Sequence, residues 1–120
     1  MERLGKRPRL PKVDAEMQRW CASLEEELDG WPHVTSKPMF GLQAFYRGKN
    51  IFAALPGTRG AETSRSMLIK LPDVTSPRLT QAGGPGKGWM TFSIESVEDV
   101  PEALHWLERA YNMAEARRSQ

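Results

Sequence analysis

The stretch KPMFGLQAFYRGKNIFAALPG, residues 37–57, decides the fold. It places an apolar segment on each side of the pair Gly48-Lys49. This pair suits a two-residue hairpin loop of type II′, because that loop takes glycine at its first position. The sequence therefore predicts two antiparallel strands whose register begins at the pair Arg47–Asn50 and continues without interruption.

Both faces of this predicted hairpin carry apolar side chains, since side chains alternate between the two faces of a strand. One face has no charge, and its two alanines leave room for a helix to come close, so we assign it to the core. Its members are Leu42, Ala44, Tyr46, Ile51, Ala53 and Leu55. The other face is mixed and has two phenylalanines at its centre. Its members are Gln43, Phe45, Arg47, Asn50, Phe52 and Ala54.

An amphipathic helix is predicted on each side of the strands. The first is capped by Asp14 and ends at Gly30. The last begins near Ser96, in a sequence that resembles a capping box, and has Pro101 in its first turn. Apolar residues recur at helical spacing in both. They are Met17, Trp20, Cys21, Leu24 and Leu28 in the first helix, and Val100, Leu104, Leu107, Ala110, Tyr111 and Ala114 in the last.

Further strands are predicted at residues 33–37, 66–71 and 89–94, with a polar loop at 56–65 and a helical turn at 76–82. Short turns between neighbouring strands make those strands antiparallel. Two amphipathic helices then need one sheet face to bury against. The predicted fold class is therefore α+β: a two-layer sandwich, with an antiparallel sheet of four to five strands and the N- and C-terminal helices packed on one face.

Trp89 points away from the predicted core, because the apolar residues that alternate with it in its strand point inward. It then shares the helix-free face with Phe45 and Phe52, and large aromatic groups exposed on one face mark a contact surface. These three residues are our candidate interaction surface. The alternative interpretation is that loops such as 56–65 fold over this face and complete the core.

Length and composition are typical of one soluble domain. The chain has 120 residues, of which 39% are hydrophobic and 27% are charged. No apolar run is long enough to span a membrane. The single cysteine, Cys21, cannot form an internal disulfide, which favours the cytoplasm. We expect residues 1–12 to form a basic flexible tail and residues 13–118 to form a single domain.

Positive charge is concentrated in the tail. Residues 1–12 carry a net charge of +4, so the remaining residues sum to −2. The cations of the tail are Arg3, Lys6, Arg7, Arg9 and Lys12. Nucleic-acid binding through these residues is expected to be salt-sensitive and non-specific. The alternative is a disordered, solubilising arm in which prolines block regular structure.

The sequence contains no motif for a catalytic, cofactor or metal site, so we predict a non-enzymatic protein without a cofactor. GGPGKGW, residues 83–89, lacks the first glycine and the hydroxyl residue of a phosphate-binding loop, and a strand follows it where that loop needs a helix. His33 and His105 are far apart and fit no metal-ligand spacing. The run Glu25–Glu27 points in different directions around a helix and is interpreted as a solvated face.

The segments PMFG, AFYRGKNIFAAL, LIKL and WLERAY make residues 15–116 resemble the TfoX N-terminal domain family, which is close in fold to YjbR-like proteins. The strand GWMTFSI is nearer to the YjbR type. The resemblance implies an α+β fold of the secretion-chaperone type, structural roles for Gly41 and Gly48, and no catalytic motif. Two-domain TfoX proteins regulate natural competence.

Three functions follow as expectations. The first is a regulatory or interaction domain that acts as a homodimer or binds another protein through the aromatic sheet face. The second is association with nucleic acid through the basic tail. The third is a small-molecule binder or an unrecognised enzyme, with a pocket near Trp31 or the glycine-rich bend.

Overall fold

Six strands and two α-helices make up the described part of the chain. The computed structural model describes residues 14–118 apart from 62, 64 and 83–86. The elements are, in chain order, α1 Ala15–Asp29, β1 Val34–Met39, β2 Leu42–Arg47, β3 Asn50–Pro56, β4 Ser66–Lys70, β5 Thr80–Gln81, β6 Trp89–Ser93 and α2 Val100–Arg118. The strands form one antiparallel sheet in the order β1-β2-β3-β4-β6-β5. The α+β class is confirmed, with one strand more than predicted.

The helix ends follow the local signals in the sequence. The Asp14 carboxylate accepts a hydrogen bond of 2.9 Å from a backbone N–H of the first turn of α1, and Gly30 follows its last residue. Both predicted ends of α1 are therefore confirmed. The predicted capping box before α2 is half present. The Ser96 side chain makes no capping hydrogen bond, whereas the Asp99 carboxylate accepts one of 2.9 Å from the Glu95 N–H.

Both helices and the sheet contribute to one apolar cluster. The apolar stripes of α1 and α2 pack into it, together with Trp106. The residues in this cluster from the strands, or directly after the ends of β4 and β6, are Phe45, Phe52, Ala53, Leu55, Met67, Ile69, Leu71, Phe92 and Ile94. The inward side chains of β4 and β6 are those that the alternation predicts. We call the sheet face toward this cluster the helix side and the opposite face the outer face.

Pairing between β2 and β3 slips by one residue. Tyr46 pairs with Ile51, as predicted, but Phe45 pairs with Ala53 and leaves Phe52 as an extra residue on β3. In such a bulge, two residues of one strand oppose one of the other, so the alternation of faces is interrupted. Phe52 and Ala53 therefore both lie in the helix-side cluster. The uninterrupted register that we predicted is wrong beyond the second pair.

The predicted core face of β2 is also wrong. Phe45 lies in the helix-side cluster, whereas Leu42 lies in a cluster on the outer face. The uncharged face was expected to be buried because Arg47 opposes burial of the other one. Arg47 is accommodated because its guanidinium stacks over the Tyr111 ring at 4.0 Å and pairs with Glu115 at 2.6 Å. A charge that is largely removed from water requires such partners.

A smaller apolar cluster covers part of the outer face. It consists of Leu42, Ala54, Ala61, Leu68 and Trp89. Ala61 belongs to the loop at 56–65, so this loop packs on the outer face, as in the alternative interpretation. The Gly41 carbonyl oxygen accepts hydrogen bonds of 2.9 to 3.1 Å from the N–H groups of residues 57–59. These bonds hold the loop against the turn between β1 and β2.

The predicted helical turn at 76–82 is wrong. The Leu79 N–H donates to the Ser76 carbonyl oxygen at 3.0 Å and closes a β-turn around Pro77 and Arg78. Proline suits the second position of such a turn because its ring fixes φ. The chain then enters β5, which pairs with β6 and supplies the sixth strand.

Candidate functional site

The three aromatic residues predicted to form one contact surface do not lie together. Phe45 and Phe52 are 1% and 0% exposed in the helix-side cluster. Trp89 lies on the outer face, as predicted, but it is 4% exposed and packs in the cluster that includes Ala61. The prediction that all three share the helix-free face is therefore wrong. Its cause is the bulge and orientation of the β2–β3 hairpin.

Two other candidate regions lie outside the described residues. These are the basic tail, with Arg3, Lys6, Arg7, Arg9 and Lys12, and the glycine-rich bend at 83–86. Trp31 packs against Tyr111, with ring centroids 4.9 Å apart, and its Nε1–H donates to Glu27 at 3.4 Å. The small-molecule pocket expected near Trp31 or the bend stays a prediction.

Charge is divided between the sheet and the helices. The six strands contain no aspartate or glutamate, and their charged residues are Lys37, Arg47 and Lys70. Helix α1 carries five acidic residues and one arginine. The net charge of −2 outside the tail therefore conceals a basic sheet. Our sequence reasoning missed this because it averaged charge over the whole domain, although the lack of acids in the strand segments was visible.

Three arginines, on the sheet and in its loops, form ion pairs with acids near the ends of the helices. Their acidic partners are Glu115 for Arg47, Asp14 and Glu16 for Arg65, and Asp99 and Glu102 for Arg78. Each guanidinium also lies over an aromatic ring. Arginine suits these positions because its planar group can pair and stack at the same time. These cations therefore serve the fold.

The lowered pKa values of two acids near the starts of the helices also have structural causes. A hydrogen bond from the Met17 N–H lowers the pKa of Asp14, and one from the Glu95 N–H lowers the pKa of Asp99. Backbone donors favour the ionised carboxylate. These shifts belong to helix capping and do not single out a catalytic acid or base.

The lysines of the outer face, unlike the three arginines, are not paired with acids among the described residues. Lys37 on β1 lies 5.2 Å from the ring centroid of Tyr46, and Lys70 on β4 lies 5.4 Å from that of Trp89. Lys49 lies in the turn between β2 and β3. Within the part of the chain that the structure describes, none of these three lysines forms an ion pair. We call Lys37, Tyr46, Lys49 and Lys70 the outer basic patch.

A depression of about 300 Å³ lies at one end of this patch. It is lined by Thr35, Ser36, Lys37, Tyr46, Gly48 and Lys49. Two ammonium groups and the Thr35 hydroxyl thus lie beside a half-exposed tyrosine, and no carboxylate lines the depression. The Ser36 hydroxyl lies on the other face of the strand, where it accepts a hydrogen bond of 3.1 Å from Gln43. Such donors beside an aromatic ring suit a phosphate-bearing ligand that also has a flat ring. We call this feature the edge depression.

A second depression, of about 460 Å³, lies on α2. It is lined by His105, Glu108, Arg109, Asn112 and Met113. Because an acid and a base both line it, the depression favours neither sign of ligand charge. His105 is exposed there, as its place on the polar face of the helix predicts.

The exposed edge of β1 offers few hydrogen-bond donors. A two-residue loop joins β1 to β2, and Met39–Leu42 is the first pair after it. From this pair onward, hydrogen-bonded and non-hydrogen-bonded residue pairs alternate along the two strands. The backbone N–H and C=O groups of Val34, Ser36 and Pro38 therefore point away from β2. Proline has no N–H, and the Val34 N–H donates to the Trp31 carbonyl at 3.4 Å. Within this strand, Ser36 alone remains to offer an outward donor. Addition of another strand at this edge is therefore disfavoured.

The tip of the β1–β2 hairpin carries an exposed apolar residue. Phe40 and Gly41 form its two-residue turn with φ of +53° and +85°, the positive values that a type I′ turn requires. Asparagine is the usual residue at the first position, and phenylalanine is disfavoured there. Phe40 is nevertheless 85% exposed. Neither packing nor turn chemistry explains this phenylalanine.

Comparisons with family models, with curated proteins and with solved structures found no match. Among the described residues, no group of three histidine, cysteine or acidic side chains is placed to hold a metal ion. Neither helix in the described ranges is long and apolar enough to cross a membrane. The functional proposal therefore depends on the geometry and charge of the surface.

Proposed function

We propose that this chain is a non-enzymatic domain that binds nucleic acid through the outer basic patch, with the N-terminal tail as a second electrostatic contact. The supporting observation is the contrast between two kinds of cation. Arg47, Arg65 and Arg78 pair with helix acids, whereas Lys37, Lys49 and Lys70 form no ion pair within the described residues. Neutralising phosphates with such cations supplies most of the affinity of non-specific binding.

The division of charge also favours one orientation of docking. Helix α1 carries a net charge of −4 and repels a polyanion, whereas the strands carry only positive charge. An anionic polymer is therefore steered toward the outer face and away from α1. The same division explains how a domain with net negative charge outside its tail can bind nucleic acid.

The test compares two variants that lose cations from opposite sides of the molecule. The first combines Lys37→Gln, Lys49→Gln and Lys70→Gln. The second, a control that removes two cations, combines Arg19→Gln and Arg109→Gln on the exposed faces of the helices, and its loss is compared with that of the first variant per charge removed. Anisotropy of labelled oligonucleotides is measured over a range of salt concentrations.

We expect the lysine variant to lose about tenfold in affinity at low salt. Its slope of log K against log salt should also fall by roughly two, since each phosphate contact contributes about 0.7 to 0.9. The helix variant should keep both quantities. Equal losses in the two variants, or none in the lysine variant, would contradict the proposal.

We further propose that the domain is a two-layer sandwich of the TfoX N-terminal type and a cytoplasmic regulator. The antiparallel sheet and the apolar cluster shared by both helices support this architecture. Gly41 and Gly48, to which the resemblance gives structural roles, have φ of +85° and +62°. Positive φ is the conformation that glycine adopts without steric cost.

A second candidate function is protein contact, including homodimerisation, through the tip of the β1–β2 hairpin. The supporting observation is Phe40, which is exposed and follows the exposed Pro38 and the half-buried Met39 in the chain. An aromatic group without an intramolecular role is a common anchor in an interface.

Phe40→Asn separates this contact from any structural role of the ring. We expect the substitution to stabilise the monomer by roughly 0.5 to 1 kcal/mol, because asparagine tolerates the positive φ. Self-association, measured by light scattering after gel filtration, should weaken. A wild-type chain that stays monomeric at high concentration would eliminate the homodimer.

A further inference from the structure

We infer that the edge depression holds one nucleotide of a single strand, with the base against Tyr46 and a phosphate near Lys37 and Lys49. This inference rests on the proposed function and names its substrate class. The ligand is single-stranded nucleic acid, bound with little preference for sequence.

The first reason is the aromatic ring. Tyr46 is half-buried on the outer face, and its ring already attracts the ammonium group of Lys37 at 5.2 Å. A lysine ammonium sits on a flexible stem and can move from the ring to a phosphate. The ring is then free to stack on a base. Duplex bases hide their flat faces inside the helix, so only an unpaired base can use this contact.

The second reason is the shape of the surface. Proteins that read duplex DNA insert a helix or a two-stranded ribbon into the major groove. Both helices here pack against the helix side of the sheet, and α1 is strongly acidic. The β1–β2 ribbon ends in the apolar pair Met39-Phe40 and not in a basic tip. Neither element is suited to a duplex groove.

The third reason is the distribution of the cations. Lys37 lies on β1 and Lys70 on β4, three strand positions away, or about 14 Å across the sheet. A flexible single strand can cross the strands and bring phosphates to both ends of the patch. The hydroxyl group at the depression, that of Thr35, is a donor that does not discriminate strongly between bases. We therefore expect tolerance of sequence.

The test uses the full chain and two probes of equal length, a fluorescein-labelled 15-mer of deoxythymidine and a 15-base-pair duplex, at one salt concentration. We expect the single strand to bind several-fold more tightly. Tyr46→Leu should weaken its binding at least about fivefold, the lower bound for loss of one base stack. Tyr46→Phe keeps the ring and should bind like wild type, and duplex binding should be unchanged in both variants.

Photo-crosslinking gives a second measurement that does not depend on how Tyr46→Leu folds. The wild-type chain is irradiated with a 15-mer containing 5-bromodeoxyuridine, and the adduct is mapped by mass spectrometry. An adduct on the peptide that contains Tyr46 supports the inference. Adducts found only elsewhere overturn it.

The outcomes separate this inference from the function on which it rests. If single strand and duplex bind equally and Tyr46→Leu changes nothing, while the lysine variant still loses affinity, the inference fails and the proposed function stands. If no oligonucleotide binds, both fail.

Discussion

Cys21 shows how burial decides the chemistry of a single residue. It lies in the apolar stripe of α1, among the core residues Met17 and Leu24. Burial raises the pKa of its thiol to about 12, because the thiolate is disfavoured away from water. The group therefore stays protonated at neutral pH. Its position supports the interpretation of this cysteine as a small core residue, which the helical spacing predicts.

The raised pKa of Cys21 predicts a pH dependence of stability. The unfolded thiol ionises near pH 8.5 to 9, and the folded one near 12. Its contribution is thus complete below about pH 8.5 and is lost as pH rises toward 12. We expect the stability advantage of wild type over Cys21→Ala to shrink by about 3 kcal/mol between pH 8 and pH 11.

Urea unfolding at a series of pH values measures this difference, and the comparison with Cys21→Ala cancels the titration of the tyrosines and lysines. A thiol reagent at pH 8 provides an independent check. Its reaction with Cys21 should be slow in the native protein and fast in urea. An unchanging stability gap between the two proteins would contradict the burial of this thiol.

The β2–β3 hairpin shows which properties of an element are local. Its loop was predictable because Gly48 comes first in the turn, and Gly48 alone of the two loop residues has positive φ. The face that it buries was not predictable from the same stretch. That face depends on the extra residue Phe52 and on partners of Arg47 that lie 64 or more positions away in the chain. Neither the bulge nor these distant contacts of Arg47 can be predicted from a local sequence pattern.

The candidate site was partly visible in the sequence. The lack of acids in the strand segments could be read directly, as could Lys37, Lys49 and Lys70. What sequence alone could not supply was the side of the sheet on which each side chain lies. Tyr46 was assigned to the core because its face has no charge, and only the strand pairing places it on the outer face beside Lys37.

At the level of elements, the β2–β3 turn secures the end of α2. The Arg47 Nη1–H donates to the Tyr111 carbonyl at 3.2 Å, and the Asn50 Nδ2–H donates to the Ala114 carbonyl at 3.0 Å. A cation near a helix C-terminus also interacts favourably with the helix dipole. The last turns of α2 are therefore tied to a turn that is distant in the sequence.

We expect Arg47→Lys and Asn50→Ala each to lower the free energy of unfolding by about 1 kcal/mol. Lysine cannot reproduce the planar stack on Tyr111, so the first substitution is not conservative. Hydrogen exchange should show faster exchange in the last turns of α2 in both variants, while the first turn is unaffected. Arg109→Ala, an exposed site on the same helix, is the control. Uniform acceleration along α2 would contradict a local tie.

The whole molecule is electrically asymmetric. Acids gather on α1 and at the start of α2, the strands carry only cations, and the tail adds a net charge of +4. Such an arrangement has a large dipole and a small net charge. It directs an approaching polyanion without making the protein bind every acidic surface strongly.

This asymmetry predicts that the tail and the patch contribute separately. Removing residues 1–12 should weaken oligonucleotide binding and lower the salt slope by up to about three, because up to four phosphate contacts are lost. If the two contacts are independent, the substitutions Lys37→Gln, Lys49→Gln and Lys70→Gln should cost the same factor in the shortened chain as in the full one, since independent sites are additive. If the shortened chain no longer responds to these substitutions, the tail is the whole binding site.

The edge of β1 has a consequence for how the protein behaves in concentrated solution. Pro38 has no N–H, and the Val34 N–H already donates to the Trp31 carbonyl oxygen. A strand of a neighbouring copy therefore has few backbone donors with which to pair at this edge. The opposite edge, β5, is only two residues long. Because neither edge strand offers a long row of free backbone donors, the sheet should resist cross-β stacking and fibril growth, even though its outer face is partly apolar.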